Sequence, residues 1–238
     1  MKPYRCLIFD VDDTLLDFSR AYKDAQHDIA RRLGVAYTQA FADLDDRCGW
    51  QAWVESRLDQ TDSSDVQANY HEYYMRYVEG HYTYLLRELG MDIDRAVLTD
   101  CYLKSVTASR VPMEEDTLRV CRMLSERYRI ALATNGLTDM QRERVKDFLP
   151  FTHKLYISEA IGHIKPTVEF FGHMLADLGC DAEECLMIGD SVTNDIVGAR
   201  AAGMDVCFYN RKGKKLPEDV TAEYEIQAIG ELEGLLRG

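Results

Sequence analysis

The segment Cys6-Leu7-Ile8-Phe9-Asp10-Val11-Asp12-Asp13-Thr14-Leu15 runs through four apolar residues and then stops in carboxylates, with Asp10 and Asp12 two residues apart. The apolar part has the length and β-branched character of a short buried strand. Ionised carboxylates at its end repel one another and lose water, so the arrangement is costly to fold. A hard cation such as Mg2+ removes that cost, because oxygen ligands are what it prefers. Two such carboxylates can also divide labour, one attacking an electrophile and the other moving a proton. The plainer alternative is a strand that runs into a solvated acidic turn. The remainder of the chain decides between them.

At 238 residues the chain can bury a substantial core, as one large domain or two small ones. Its 46% hydrophobic and 29% charged content is that of a globular protein. A formal net charge of -13 repels phosphate polymers and anionic bilayers, so neither nucleic acid nor membrane is an expected partner. The same charge means that an anionic substrate needs a local positive site. Seven cysteines without a tight pattern point to reduced thiols and a cytoplasmic location. Cys180 and Cys185 have no neighbouring histidine pattern, so no zinc site is expected. Met1-Lys2-Pro3-Tyr4-Arg5 begins like an export leader, but the acid at Asp10 cuts the apolar stretch short. No apolar segment approaches the length of a membrane span.

Three runs read as buried parallel strands: 6–9, 130–133 and 185–188, with weaker ones at 154–157 and 205–209. Helical patterns alternate with them. Thr138-Asp139-Met140-Gln141 has the form of a capping box. Pro166 suits the first turn of a helix stopping at Gly179, and 191–202 reads as a helix ending at Gly203. Strand alternating with helix predicts an α/β, Rossmann-like doubly wound parallel sheet. Residues 17–105 break the alternation with four helical patterns, near 19–33, 38–59, 64–89 and 94–108, broken at Gly34, Asp62-Ser63-Ser64 and Gly90. The expected organisation is therefore a core of 1–16 and 106–238, with an α-helical cap bundle, 17–105, inserted after the first strand. Within that block Trp50, Trp53, Tyr70, Tyr73, Tyr74, Tyr77 and Tyr84 are read chiefly as the packed seam of the bundle; stacking on a nucleobase is the sharper alternative. The basic stretch Arg211 to Pro217 reads as a solvated turn.

The three firm strands all end in polar groups: Asp10 and Asp12; Thr134-Asn135-Gly136; and Gly189-Asp190-Ser191-Val192-Thr193-Asn194-Asp195. In an open parallel sheet those ends share one edge, where ligands bind. Lys165, before Pro166, supplies a positive charge on the same edge. Together they suit phosphoryl transfer, which needs an in-line nucleophile, neutralised equatorial oxygens and a protonated leaving oxygen. Asp10 can attack, Asp10 and Asp190 can hold Mg2+, and Asp12 can donate and recover a proton. Lys165, the Thr134 hydroxyl and N–H groups near Gly136 can hold the phosphoryl oxygens. Asp195 could alternatively serve only as a helix-start acid.

These four segments, in this order, resemble the four motifs of the haloacid dehalogenase superfamily. The resemblance implies that Asp10 forms an aspartyl phosphate, and that Asp12 is the general acid/base whose main-chain carbonyl also reaches Mg2+. It implies phosphoryl binding by Thr134, Asn135, Gly136 and Lys165. Asp10, Asp12 and Asp190 would be metal ligands, supported by Asp195, and the insertion looks like the superfamily's first cap type. Its haloalkanoate dehalogenases lack the second aspartate, so Asp12 favours phosphate esters. Asp13 differs from the Gly usual in sugar phosphomutases. Asp13, Thr-Asn-Gly and the tail with Tyr209-Asn210-Arg211 and Tyr224-Glu225-Ile226 look most like the bacterial 5'-nucleotidases of the superfamily. The implied substrate is a small-molecule phosphate ester, a nucleoside monophosphate. Phosphoglycolate or a sugar phosphate is the enzymatic alternative, and a non-catalytic binding module on the same fold is the alternative of another class. His163, where a small or aliphatic residue is usual, is read as a loop side chain.

Overall fold

The computed structural model describes residue 2, residues 4–60 and residues 63–236. The expected break at Asp62, and the positions Met1 and Pro3 of the leader-like segment, lie outside the described residues. The chain divides into two compact units, one running through Asp17 and resuming at Arg110, the other spanning Phe18–Ser109.

The first unit is organised by six parallel strands, β1 (Cys6–Phe9), β2 (Arg129–Thr134), β3 (Lys154–Ile157), β4 (Cys185–Gly189), β5 (Asp205–Tyr209) and β6 (Tyr224–Ile226). They lie in the order β3-β2-β1-β4-β5-β6, which places β1 at the centre. Alternation along each strand sends successive side chains to opposite faces. Leu7, Phe9, Ile130, Leu132, Leu186 and Ile188 therefore share one core with Val120, Cys121 and Leu124 of α6 (Thr117–Ser125). Cys6, Ile8, Ala131, Ala133, Met187 and Phe208 share the other with Phe170, Phe171 and Met174 of α9 (Val168–Leu178). Both faces are covered, which is why β1 and β4 are apolar along their whole length. This is a doubly wound, Rossmann-like α/β sheet.

The second unit contains α1 (Phe18–Leu33), α2 (Gln39–Glu55), α3 (Ser64–Ala68), α4 (Tyr70–Leu89) and α5 (Arg95–Ala108). Its ends follow capping rules: Thr38 accepts from the Phe41 N–H, Asp94 accepts from the Ala96 N–H, and Gly90 closes α4 at φ 64°. The single helix expected over 64–89 is two, because Asn69 leaves helical backbone and bonds back to Asp65. The helix expected over 38–59 stops at Glu55, where Arg57 takes a positive φ of 63°. Tyr73, Tyr74, Tyr82 and Tyr102 are buried in the bundle, whereas Trp50 is exposed. Asp45 and His81 are buried together at 2.9 Å, and Gln26 donates to the second Asp45 oxygen at 3.0 Å, so this interior polar group is satisfied.

Back in the first unit, three expectations shift. Thr138 opens no capping box: Leu137 occupies the cap of α7 (Thr138–Arg144) without a side-chain bond, and the Thr138 N–H donates to Glu159 at 2.6 Å. Pro166 precedes the helix rather than starting it, because Thr167 caps α9. The helix expected over 191–202 is a π-turn, Val192–Val197, continuing as a short α-helix, Gly198–Ala201. A π-turn at a strand end re-aims side chains, and such turns are frequent at functional sites. Among the described residues β6, only three residues long, was not expected from the sequence.

Gly198 marks where this segment packs hardest, since an added Cβ would lie 2.8 Å from the Pro166 backbone and 2.7 Å from Phe171. Gly198→Ala is expected to destabilise the protein by about 1–3 kcal/mol through overpacking. Calorimetry should show a Tm lower by roughly 2–12 °C at about 2–4 °C per kcal/mol; an unchanged Tm would mean that the segment yields freely.

Candidate active site

The parallel register delivers the site. Phe9 pairs with Leu132 and Ile188, so the next residues of β1, β2 and β4 emerge together at one edge. Asp10 continues β1 for one further bond, its N–H donating to the Ile188 carbonyl at 2.9 Å. Asp190 follows Gly189, the last residue of β4, and its N–H donates to Thr14 Oγ1 at 3.2 Å. Oxygen atoms of Asp10, Asp190 and Asp195 lie within 4.8 Å of one another.

Lys165 enters this cluster from the loop between α8 (Ser158–Ile161) and α9. Its Nζ donates to Asp10 Oδ1 at 2.6 Å, to Asp195 Oδ1 at 2.7 Å and to the Ala133 carbonyl at 2.8 Å. An ammonium carries three donors, and all three are used here. Asn135 fixes the Lys165 backbone from both sides, accepting from its N–H at 2.8 Å and donating to its carbonyl at 2.9 Å. Asp195 is fully buried, and its second oxygen accepts from the Ser191 N–H at 3.0 Å. It fits only because residue 189 is glycine, where a Cβ would stand 2.3 Å from the Asp195 carboxylate.

Three carboxylates face one ammonium in a buried space, so negative charge is in excess. Burial pushes Asp10 well above the usual carboxylate range; Asp195 and Asp190 push the same way while Lys165 opposes them. Burial, followed by Asp195 and Asp13, raises Asp190 to about 6, with Lys214 and Lys165 opposing. Burial alone would lower Lys165, but Asp10 and Asp195 outweigh it and raise it above the ordinary lysine range. The donor set is oxygen only, both Asp195 oxygens are engaged, and Asp10 and Asp190 remain as the natural donors to a hard divalent ion.

The other sequence-derived positions fall around this centre. Thr134 ends β2 and is buried. Gly136, at φ 153°, gives its N–H to Ser158 Oγ at 2.9 Å. That N–H is therefore committed to the loop, and Asn135 is committed to Lys165; both shape the edge. Asp12 lies two residues beyond Asp10 in a turn where Asp13 takes φ 61°. Its carboxylate is held by Gln141 at 2.7 Å and by Arg144, both on α7. Sequence reading missed these two residues. The available signal was their i, i+3 spacing on one face of the helix that follows Thr134-Asn135-Gly136. His163 lies in the loop before Lys165. The basic turn after β5 is exposed, as read, but it is anchored: Asn210 is buried and exchanges bonds of 2.8 Å with both the N–H and the carbonyl of Lys214.

Within the helical unit by itself, a cavity of about 270 Å³ is lined by Tyr22, Asp46, Gly49, Trp50, Trp53 and Tyr77. Trp53 and Tyr77 meet edge to face there at 5.3 Å. Among the described residues, no helix is long and apolar enough to cross a membrane.

A parallel α/β sheet whose edge gathers these aspartates and a buried lysine defines a class of hydrolase, and residues 4–203 match the haloacid dehalogenase-like hydrolase family. The chain belongs to that family. It is 28% identical to the HAD-hydrolase YfnB of Bacillus subtilis, over 99% of this chain and 97% of that protein. The crystal structure of YfnB bound to magnesium superposes with a TM-score of 0.84 at 28% identity, each chain fully covered. Two pyrimidine 5'-nucleotidases are also similar. PynA of Streptococcus pneumoniae is 27% identical over 96% of this chain and 93% of its own. YjjG of Escherichia coli is 25% identical over 74% of this chain and 82% of its own.

Lys165→Met would leave Asp10 and Asp195 buried without their shared cation. Removing one partner of such a pair is expected to cost about 3–5 kcal/mol. Without divalent ions the Tm should fall by roughly 6–20 °C, read by calorimetry; an unchanged Tm would show that the ammonium is dispensable to the fold.

Proposed function

We propose that this chain is a Mg2+-dependent phosphatase that hydrolyses a phosphate monoester through an aspartyl phosphate on Asp10, with nucleoside 5'-monophosphates as its substrate class. The observation that carries this reading is the buried contact of Lys165 with Asp10 and Asp195 beside Asp190, at the sheet edge that also holds Thr134. The nucleotide part rests on the likeness to PynA and YjjG. The division into a core, 1–16 with 106–238, and an inserted helical cap, 17–105, belongs to the same proposal, as does a cytoplasmic location.

Asp10 and Asp190 would hold the ion, with Asp195 and the Asp12 carbonyl in support. Bound there, Mg2+ would offset the repulsion between the carboxylate and an anionic phosphoryl group. The Asp10 carboxylate attacks phosphorus, and the ester P–O bond breaks. The proton on Asp12 passes to the departing oxygen. Thr134 holds a phosphoryl oxygen, and Lys165 holds another by exchanging its bond to Asp10 for one to the phosphoryl group as charge shifts onto it. A water molecule then attacks phosphorus, Asp12 takes its proton, and the Asp10–phosphorus bond breaks to release phosphate.

Two experiments test this reading. Phosphate release across a panel of nucleoside monophosphates, phosphoglycolate and sugar phosphates should depend on Mg2+ and favour the nucleotides. Asp10→Asn should abolish turnover while keeping the circular dichroism spectrum, since Lys165 keeps Asp195 as its partner. Preference for the small phosphates would move the substrate assignment, and turnover by the variant would remove Asp10 from the attacking role.

A third experiment concerns pH. The folded state holds a proton on Asp190 up to about pH 6, above the ordinary carboxylate value, so this group's contribution to stability is lost as pH rises through about 6. Mg2+ binds the deprotonated site and restores stability there. The Tm gain from saturating Mg2+ is therefore expected to be larger near pH 7.5 than near pH 5. At about one hundred times the dissociation constant it should be worth about 2.7 kcal/mol. A gain independent of pH would place the ion elsewhere.

A further inference from the structure

The chemistry just described leaves two buried side chains of α7 without a task. Gln141 is fully buried, and Arg144 is the largest fully buried side chain among the described residues. Burying a guanidinium is expensive unless its partner is well placed. Here the partner is Asp12: Arg144 Nη1 meets Oδ1, and Gln141 Nε2 donates to Oδ2 at 2.7 Å. Both oxygens of one carboxylate are thus held by one helix.

The sense of the Gln141 amide is set by its neighbours. Arg144 Nη1 donates to Gln141 Oε1 at 3.0 Å, which turns Nε2 towards the site. The two hydrogens on Nε2 then serve Asp12 Oδ2 and Thr134 Oγ1, each at 2.7 Å. Because Thr134 Oγ1 accepts, its own hydrogen is turned elsewhere. In this structure it makes a long 3.3 Å bond to the Asn135 carbonyl, which a phosphoryl oxygen can replace. Gly136 leaves the room for this: a Cβ there would lie 3.0 Å from Gln141 Cγ.

We propose that Gln141 and Arg144 are positioning residues, which aim the Asp12 carboxylate for proton transfer and set the Thr134 hydroxyl to donate to the phosphoryl group. The inference rests on the reading of Asp12 as the acid/base. In the first half-reaction the Asp12 proton goes to the ester oxygen as the P–O bond breaks. In the second, Asp12 removes a proton from the water that displaces Asp10. A carboxylate free to turn would meet neither partner at the required moment. Proximity and orientation of this kind contribute to kcat more than to binding.

The test compares Gln141→Leu, Arg144→Met and Arg144→Lys with the wild type in the presence of Mg2+. With a nucleoside monophosphate, whose leaving alkoxide needs a proton, kcat should fall by about 10–100-fold in Gln141→Leu and Arg144→Met. KM should stay within about threefold. Arg144→Lys should recover part of the loss. With p-nitrophenyl phosphate, whose leaving group departs without a proton, Arg144→Met should keep the rate of the initial burst of nitrophenolate while steady turnover slows, because the water step still needs Asp12; Gln141→Leu should slow the burst as well, because the Thr134 hydroxyl loses its orientation. The Mg2+-induced rise in Tm should persist, showing an intact fold and metal site. Wild-type kcat in both Gln141→Leu and Arg144→Met would overturn the proposal. So would a loss confined to KM, or a burst that collapses in step with turnover in Arg144→Met. If the wild type cleaves no phosphate ester, the phosphatase reading fails; if it does and the variants match it, only the positioning role fails.

Discussion

One ammonium held between two buried carboxylates organises the functional edge of this protein. Lys165 reaches Asp10 at the end of β1, Asp195 in the π-turn after β4 and the Ala133 carbonyl on β2. Three segments far apart in sequence are thereby tied to one nitrogen. The contact is not a surface ion pair of small worth; the lysine is 2% exposed and Asp195 is completely buried. Much of the nearby sequence is constrained by it. Asn135 holds the lysine backbone, Gly189 makes room for the Asp195 carboxylate, and Gly198 lets the following turn pack on Pro166.

The same contact leaves the site with more negative charge than the protein neutralises. Asp10, Asp190 and Asp195 gather around Lys165, with Lys214 acting on Asp190 as well; burial first, and the neighbouring carboxylates after it, push Asp10 and Asp190 above the usual carboxylate range. Such an oxygen-only cluster is able to hold a hard divalent cation. That distinguishes it from the Asp45–His81–Gln26 group of the helical unit, which is buried as deeply but closes on itself through hydrogen bonds. Buried polar groups that satisfy one another specify packing; those that do not are the ones to examine for chemistry.

Sequence reading succeeded where a residue's task follows from its position on a strand. The apolar runs at 6–9, 130–133 and 185–188 mark strands because a parallel sheet buried on both faces leaves no alternation to blur them. Their polar ends then had to meet, since parallel strands share an edge, and Asp10, Thr134 and Asp190 do so. The weaker runs at 154–157 and 205–209 are strands as well. Reading failed where the task depends on tertiary contact. Tyr224–Ile226 is three residues long at the sheet edge and has too little pattern to stand out. Asn69 breaks a helix through its own side chain, which helical periodicity does not register. Gln141 and Arg144 look like the polar face of a surface helix, and only the fold shows that this face is turned inward.

That last case bears on how such a site controls its own chemistry. Lys165 fixes the group proposed to attack, whereas Gln141 and Arg144 fix the group proposed to move the proton, and the two sets meet at β2 and the residues after it. Lys165 takes the carbonyl of Ala133, and Gln141 takes the hydroxyl of Thr134, its neighbour. Adjacent residues on one strand end thus point one anchor to each carboxylate. The separation between Asp10 and Asp12 is set by the turn after β1, but their orientation relative to each other is set by β2. A helix or loop alone would hold neither so firmly, because the end of β2 pairs with β3, Ala133 with Tyr156 and Thr134 with Ile157, directly after residues paired with β1. The central strands therefore supply more than a scaffold: they relate the attacking group to the proton carrier, which is the relation a two-step displacement depends on.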